Sequence, residues 1–132
     1  HKKIAGKRTV DFNISHSGEF ILAVFAVGMD IGVDVQEMAE CPDYREIAEN
    51  FYTAEEAEDV KNEGPDLFFQ YWAAKEAYVK ALGIGLGRGM DFFSVRNGKI
   101  AEKDKKDQDW FLYPVRIKGY AAYVAAHKKG DR

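Results

Sequence analysis

The stretch PDLFFQYWAAKEAYVKALG, residues 65–83, is the longest predicted element of this chain and the one around which we expect it to fold. Pro65 suits the first position of a helix and Gly83 the position just past its end, so the sequence predicts a long helix over residues 66–82. Apolar and aromatic side chains cover almost every face of this segment. Such a pattern is typical of a helix that is buried among other elements.

Two shorter helices are predicted before the long one. Residues 43–51 follow Pro42 and form the first of them. Thr53 and Glu56 then make a capping box, in which a hydroxyl and a carboxylate three residues apart bind each other's backbone N–H groups. This box predicts a second helix that runs to about residue 62.

Strand-like segments flank the helices on both sides, and glycine-containing turns bound them. They lie at residues 10–14, 19–27, 31–35, 92–96, 110–117 and 120–126. We expect residues 15–18 to form a turn, and residues 19–27 to be a buried strand in a hairpin with residues 31–35. The order of strands, helices and strands predicts an α+β fold, with an antiparallel sheet packed against the long helix.

Composition and charge exclude several classes of protein. The chain has 132 residues, of which 46% are hydrophobic and 31% charged, and this indicates a folded domain rather than a disordered chain. The net charge of −3 argues against a general nucleic-acid-binding protein. The longest apolar run, residues 20–28, is about half as long as a membrane span requires. Because no secretory signal is visible and Cys41 is the single cysteine, we expect a cytoplasmic protein without disulfides, which binds neither nucleic acid nor membrane.

Three segments carry residues with possible chemistry. Glu76 and Lys80 share a face of the long helix and form either a solvated ion pair or part of a site. Asp34 lies at the centre of the apolar strand IGVDVQ and is either turned to solvent or associated with a metal or phosphate, with close backbone approach at Gly32. The segment SHSG, residues 15–18, is either a plain polar turn or a site for an anion.

The combination of segments is more specific than any one of them. FNISHSG (12–18), IGVDV (31–35), FYTAEE (51–56) and WAAKEAYVKALGIGL (72–86) occur in that order. Together they closely resemble the 4′-phosphopantetheinyl transferases of the surfactin-synthetase-activating type, in the branch whose signature is Trp followed by Lys-Glu-Ala. The resemblance implies that residues 10–132 are the second half of a two-lobed enzyme. Residues 1–9 would then be a basic arm or interlobe linker.

The resemblance also implies an activity. Such enzymes move the 4′-phosphopantetheine arm of coenzyme A onto a serine of an acyl or peptidyl carrier protein and release 3′,5′-ADP. It implies that Asp34 and Glu76 bind Mg²⁺, that Glu76 also accepts the proton of the serine, and that Lys80 holds the pyrophosphate. Many relatives have Asp-x-Glu where this chain has Asp34 and Gln36. We therefore expect Gln36 or a water to take the third metal position, with altered metal affinity.

Coenzyme A and protein partners follow from the same resemblance. The residues it implies for coenzyme A are Gly6, Lys7, Ser15, His16, Lys75 and Lys80. A second lobe or subunit would complete the cleft. Carrier proteins are usually acidic, so we expect a local basic or apolar docking surface, for which residues 53–62 and 83–89 are candidates. The alternative is a non-catalytic half-domain that keeps the fold and carrier binding but is inactive without a partner lobe. The presence of Asp34, Glu76 and Lys80 together favours the enzyme.

Overall fold

All strand pairs are antiparallel in the computed structural model, which describes residues 2–3, 9–84, 89–102 and 109–128. The elements in chain order are β1 (Lys2–Lys3), β2 (Thr9–Ser17), β3 (Phe20–Val27), β4 (Met29–Glu37), α1 (Tyr44–Phe51), α2 (Ala54–Glu63), α3 (Pro65–Leu82), β5 (Phe93–Ser94), a 3₁₀ turn (Arg96–Gly98), β6 (Ala101–Glu102), β7 (Trp110–Pro114) and β8 (Tyr120–Lys128). Strands β1, β2 and β3 form one sheet, β4, β8 and β7 a second, and β5 pairs with β6. The predicted α+β fold with antiparallel sheets and a long helix is confirmed.

The helices begin and end where their local signals place them. The hydroxyl of Thr53 accepts a hydrogen bond from the backbone N–H of Glu56, and the Glu56 carboxylate accepts one from the backbone N–H of Thr53. The predicted capping box of α2 is therefore confirmed. Helix α3 begins at Pro65 and ends at Leu82, followed by Gly83 in the left-handed conformation.

Helix α3 packs directly on strand β4, and Gly32 makes this contact possible. A Cβ atom at Gly32 would lie 2.1 Å from the carbonyl oxygen of Ala77 and 2.6 Å from the backbone nitrogen of Ala81. Only a residue without a side chain permits backbone to approach this closely. The close approach predicted at Gly32 therefore exists, and its partner is the backbone of α3.

The strand pairing differs from the sequence prediction. Strand β3 pairs with β2 and not with β4, and a two-residue turn after Ser17 joins β2 to β3. The predicted turn at residues 15–18 is wrong because Ser15 and Ser17 belong to β2, and the predicted hairpin of β3 with β4 is wrong as well. Only Gly28 separates β3 from β4, and a single residue is too short to close a hairpin.

Strand β3 is also more exposed than predicted. Its burial alternates, and the side chains of Ile21 and Phe25 are 72% and 69% exposed. The expectation of a buried strand is wrong because no described residue covers this face of the β1–β2–β3 sheet. Residues 2–3, within the segment predicted to be a basic arm or interlobe linker, pair with β2 as strand β1.

The hydrophobic core lies between α3 and its neighbours. It contains Tyr44, Ala48, Tyr52, Val60, Phe68, Tyr71, Ala74, Ala77, Tyr78, Val79, Ala81, Met90, Phe93, Val95 and Ala125. These residues come from all three helices, from β8 and from the segment around β5. Among the described residues, no helix is both long enough and apolar enough to cross a membrane.

Candidate active site

Asp34 is a buried carboxylate between two sheets. Its side chain lies on β4, which pairs with β8 on one edge and contacts β2 on the other. The Oδ2 atom accepts a hydrogen bond of 2.8 Å from the amide nitrogen of Gln36, and Oδ1 accepts one of 3.4 Å from the hydroxyl of Ser15. Burial raises the pKa of Asp34 above its ordinary value, although these bonds and Lys80 act in the other direction.

Lys80 brings a positive charge to the same place. Its Nζ atom lies 3.6 Å from Asp34 Oδ1 and donates a hydrogen bond of 3.1 Å to the carbonyl oxygen of Val33. A longer contact of 3.5 Å joins Nζ to the carbonyl oxygen of Ile14. About a third of the Lys80 side chain is exposed, so the ammonium group can also reach a ligand at the surface.

Glu76 is the second carboxylate of the site and lies one helical turn before Lys80. It is half-buried, and burial raises its pKa. The negative charge of Asp34 raises the pKa further, while Lys80 lowers it. The carboxyl group of Asp34 on the strand therefore lies close enough to Glu76 on the helix to affect its ionisation.

This donor set fits a magnesium ion. A divalent cation stabilises two neighbouring carboxylates in their ionised form, and Mg²⁺ commonly takes one or two carboxylates, with phosphate oxygens and waters in the other positions. Among the described residues, no group of three or more His, Cys, Asp and Glu side chains is placed to hold a metal. A metal at this site would therefore be held by Asp34 and Glu76, with waters or other oxygens in the remaining positions.

Comparison with known proteins identifies the family. A family model described as the 4′-phosphopantetheinyl transferase superfamily matches residues 30–126, the region that contains Asp34, Glu76 and Lys80. The chain belongs to this superfamily.

Curated relatives carry the same description. The 4′-phosphopantetheinyl transferase Sfp of Bacillus subtilis is 38% identical over 89 residues, which are 64% of this chain and 38% of Sfp. The 4′-phosphopantetheinyl transferase ffp of Bacillus subtilis is 40% identical over 89 residues, with the same shares of both chains. The L-aminoadipate-semialdehyde dehydrogenase-phosphopantetheinyl transferase of Rattus norvegicus is 29% identical over 144 residues, 92% of this chain and 47% of the relative. The chain thus spans less than half the length of these relatives.

Of the residues expected to bind coenzyme A in this superfamily domain, the structure brings Lys80 and Ser15 to Asp34. Ser15 is buried beside Asp34, whereas the next residue, His16, is exposed. Successive residues of a strand point to opposite faces, so these two side chains do not share a surface. Gly6 and Lys7 lie outside the described residues.

Lys75 has a different role from the one expected. It is fully buried, and its ammonium group lies 2.7 Å from Glu56 Oε1, 2.7 Å from the carbonyl oxygen of Met90 and 2.5 Å from that of Phe93. An ammonium group has three hydrogens, and each has a partner inside the protein. The expected contact of Lys75 with coenzyme A is incompatible with this burial.

Two residues of this region were not predicted from the sequence. Glu56 was recognised only as a helix cap, yet it is fully buried and binds both Lys75 and the backbone N–H of Val95. Asn13 accepts a hydrogen bond from the backbone N–H of Val33 and so joins β2 to β4. A lysine on an almost wholly apolar helix was the available signal for Glu56, because a buried ammonium requires a partner. No local pattern indicates Asn13.

Proposed function

We propose that this domain catalyses the transfer of 4′-phosphopantetheine from coenzyme A to a serine of an acyl or peptidyl carrier protein, with release of 3′,5′-ADP and dependence on Mg²⁺. The observation that carries the proposal is the meeting of Asp34, Glu76 and Lys80 at the contact between β4 and α3. Superfamily membership and relatives that are named phosphopantetheinyl transferases support the same reaction.

The reaction assigns a task to each side chain. The oxygen of the carrier serine attacks the phosphorus that bears the pantetheine arm, and the bond from this phosphorus to the bridging oxygen of 3′,5′-ADP breaks. Glu76 accepts the serine proton, directly or through a water. Lys80 binds the departing phosphate through its exposed ammonium group. Asp34 and Glu76 would hold the Mg²⁺ ion, which when bound neutralises negative charge on the pyrophosphate.

The proposal also covers the type of transferase, the second lobe, the remaining ligand contacts and the location in the cell. The Trp72 and Lys75-Glu76-Ala77 signature favours the surfactin-synthetase-activating type. Because the chain spans less than half of its relatives, we include a second lobe or subunit that completes the cleft. Ser15 and His16 are retained as contacts for coenzyme A, with Gly6 and Lys7. Gln36 is retained as a metal ligand through its side-chain oxygen. A cytoplasmic location agrees with coenzyme A as the substrate.

The mass of a carrier protein tests the proposal directly. An apo carrier protein is incubated with the chain, coenzyme A and Mg²⁺, and we expect its mass to rise by one phosphopantetheine. The Glu76→Gln variant removes the proton acceptor and one metal ligand, so we expect a loss of roughly 10²-fold or more in rate. Glu49→Gln, at an exposed position on α1 outside the candidate docking segments, is the control and should react normally.

A folded chain that produces no mass shift would contradict transfer by this chain without a further lobe. It would instead favour the non-catalytic half-domain, which binding of the apo carrier to the chain would then support. Transfer at a near-normal rate by Glu76→Gln would contradict the role assigned to Glu76 alone.

A further inference from the structure

Strands β2 and β4 lie side by side without a backbone ladder between them. Each pairs with other strands, β2 with β1 and β3, and β4 with β8. Side chains of β2 make the connection instead. The Oδ1 atom of Asn13 accepts a hydrogen bond of 2.9 Å from the backbone N–H of Val33. The Oγ atom of Ser15 accepts one of 3.0 Å from the N–H of Val35. The Oγ atom of Ser17 accepts one of 2.8 Å from the N–H of Glu37. We call this row of three contacts the β2–β4 seam.

The geometry of strands explains why the seam uses every second residue. In an antiparallel pair, alternate N–H groups point to the partner and the others to the opposite edge. The N–H groups of Val33, Val35 and Glu37 therefore point away from β8 towards β2. Side chains of β2 also alternate, so Asn13, Ser15 and Ser17 share the face that meets them. A buried N–H without a partner costs about 1–3 kcal/mol. Ser15 removes this cost for Val35, whose hydrogen bond is the buried one of the three.

Ser15 differs from the other two seam residues because it also contacts Asp34. A serine hydroxyl has one hydrogen to donate. The oxygen of Ser15 already accepts the N–H of Val35, so its hydrogen is free to point to Asp34 Oδ1, 3.4 Å away. Ser15 is 6% exposed and Asp34 3% exposed, so water does not compete freely for either group.

The seam also lies next to Lys80. The carbonyl oxygens of Ile14 on β2 and Val33 on β4 both face Lys80 Nζ, at 3.5 and 3.1 Å. Loss of alignment between the two strands would therefore move the carboxylate of Asp34 and the backbone contacts of Lys80 together.

We infer that Ser15 is a positioning residue, which fixes the carboxylate of Asp34 for metal binding while it joins β2 to β4. This inference rests on the proposed function, since it assigns Asp34 to a metal site, and it adds a role to the contact with coenzyme A expected of Ser15. Loss of a hydrogen bond that orients a metal-binding side chain typically weakens metal affinity 10–100-fold. With a contact of 3.4 Å, we expect the lower end of that range.

Binding of Mn²⁺ to the purified chain tests the inference without any transfer reaction. Free Mn²⁺ is counted by electron paramagnetic resonance for the wild type, Ser15→Ala, Ser15→Thr and Ser17→Ala. Ser17→Ala is the matched control, because it removes the same kind of seam contact without touching Asp34. We expect about tenfold weaker Mn²⁺ binding for Ser15→Ala, near-normal binding for Ser17→Ala, and recovery for Ser15→Thr, which retains a hydroxyl.

Urea unfolding of the same variants separates positioning from stability. Ser15→Ala leaves the buried N–H of Val35 without a partner, whereas the N–H of Glu37 is exposed to water in Ser17→Ala, so we expect the larger shift of the midpoint for Ser15→Ala. Mn²⁺ affinities are therefore compared without urea, where both variants are folded. Equal Mn²⁺ affinities for Ser15→Ala and Ser17→Ala would overturn the inference and leave the proposed function in place. A wild-type chain that is folded and binds no Mn²⁺ would overturn the metal site of the proposed function, and the inference with it.

Discussion

At the scale of single residues, the site combines two carboxyl groups with one ammonium group in a partly dry environment. Burial raises the pKa of both Asp34 and Glu76, and the negative charge of Asp34 raises the pKa of Glu76 further. The positive charge of Lys80 lowers both pKa values and so offsets part of these increases. The folded chain therefore holds its carboxyl protons more tightly than the unfolded chain does. Their contribution to stability is present below the ordinary carboxyl pKa and is lost as the pH rises through the raised pKa values.

This electrostatic balance predicts that stabilisation by Mg²⁺ depends on pH. Mg²⁺ binds the ionised carboxylates, so it replaces the protons that leave as the pH rises. We expect the Mg²⁺-induced increase in Tm to be larger at pH 8 than at pH 5, measured by differential scanning fluorimetry. The increase should be reduced in Glu76→Gln, which lacks one carboxylate. An equal gain in Tm at both pH values would contradict the shared site.

A second prediction at this scale concerns the buried ion pair of Lys75 and Glu56. Removal of one partner from such a pair leaves an uncompensated charge and costs about 3–5 kcal/mol. We expect Lys75→Met to lower the free energy of unfolding by about this amount. In Lys75→Met/Glu56→Gln both charges are gone, so part of the loss should be recovered. Chemical denaturation measures the free energy of unfolding of the single and the double variant.

The control for the ion pair is Lys61→Met, on the exposed surface of α2. Exposed substitutions typically change stability by less than about 0.5 kcal/mol. If Lys75→Met and Lys61→Met had similar effects, Lys75 would not be a structural ion-pair residue. The stability measurement thus also separates a core role from a ligand-binding role for Lys75.

At the scale of elements, the helices could be predicted from the sequence and the strand partners could not. Thr53, Glu56, Pro65 and Gly83 act on their own helix ends, so the signals lie within a few residues of the features they specify. Strand β4 instead pairs with β8, and no local pattern encodes a partner so distant in the sequence. Within the site, the four-residue spacing of Glu76 and Lys80 was visible in the sequence. Their approach to Asp34 depends on the packing of α3 on β4.

The contact of α3 with β4 is tested at Gly32. A methyl group there would overlap the backbone of Ala77 and Ala81, which a helix cannot move locally. We expect Gly32→Ala to separate the helix from the strand and to destabilise the chain severely, by several times the effect of a control at Gly28. Gly28 has open space around its Cβ position and a φ of +70°, so alanine there costs only about 1–2 kcal/mol of left-handed strain. Circular dichroism during heating compares the two variants, and similar Tm values would contradict the close contact.

At the scale of the whole molecule, one face of the β1–β2–β3 sheet is apolar and exposed. Ile14, Ile21, Phe25 and Val27 share this face, and each has more than half of its surface exposed. Phe12 stacks on Phe25 with a centroid distance of 6.0 Å. Soluble monomers rarely expose contiguous apolar patches of more than a few hundred Å².

The exposed face predicts that polar substitutions there are tolerated. We expect Ile21→Thr/Phe25→Thr to retain the Tm of the wild type, because both side chains are exposed and threonine suits a strand. The variant should bind less of the dye ANS and self-associate less at high concentration, as measured by fluorescence and light scattering. Leu22→Thr is the control, since Leu22 is half-buried on the opposite face and its loss should lower the Tm. Unchanged dye binding in the double variant would contradict an accessible apolar face.

The pairing of β4 with β8 has a consequence for the order in which the chain folds. The β2–β3 hairpin closes across two residues and forms in microseconds. Pairing of Met29 with Lys128 and of Glu37 with Tyr120 instead requires closure of a loop of roughly 90 residues, which is entropically costly and slow. We therefore expect Asp34 to acquire its final surroundings late, after the hairpin and helices have formed. During synthesis on the ribosome, the carboxylate site cannot be completed until β8 has emerged.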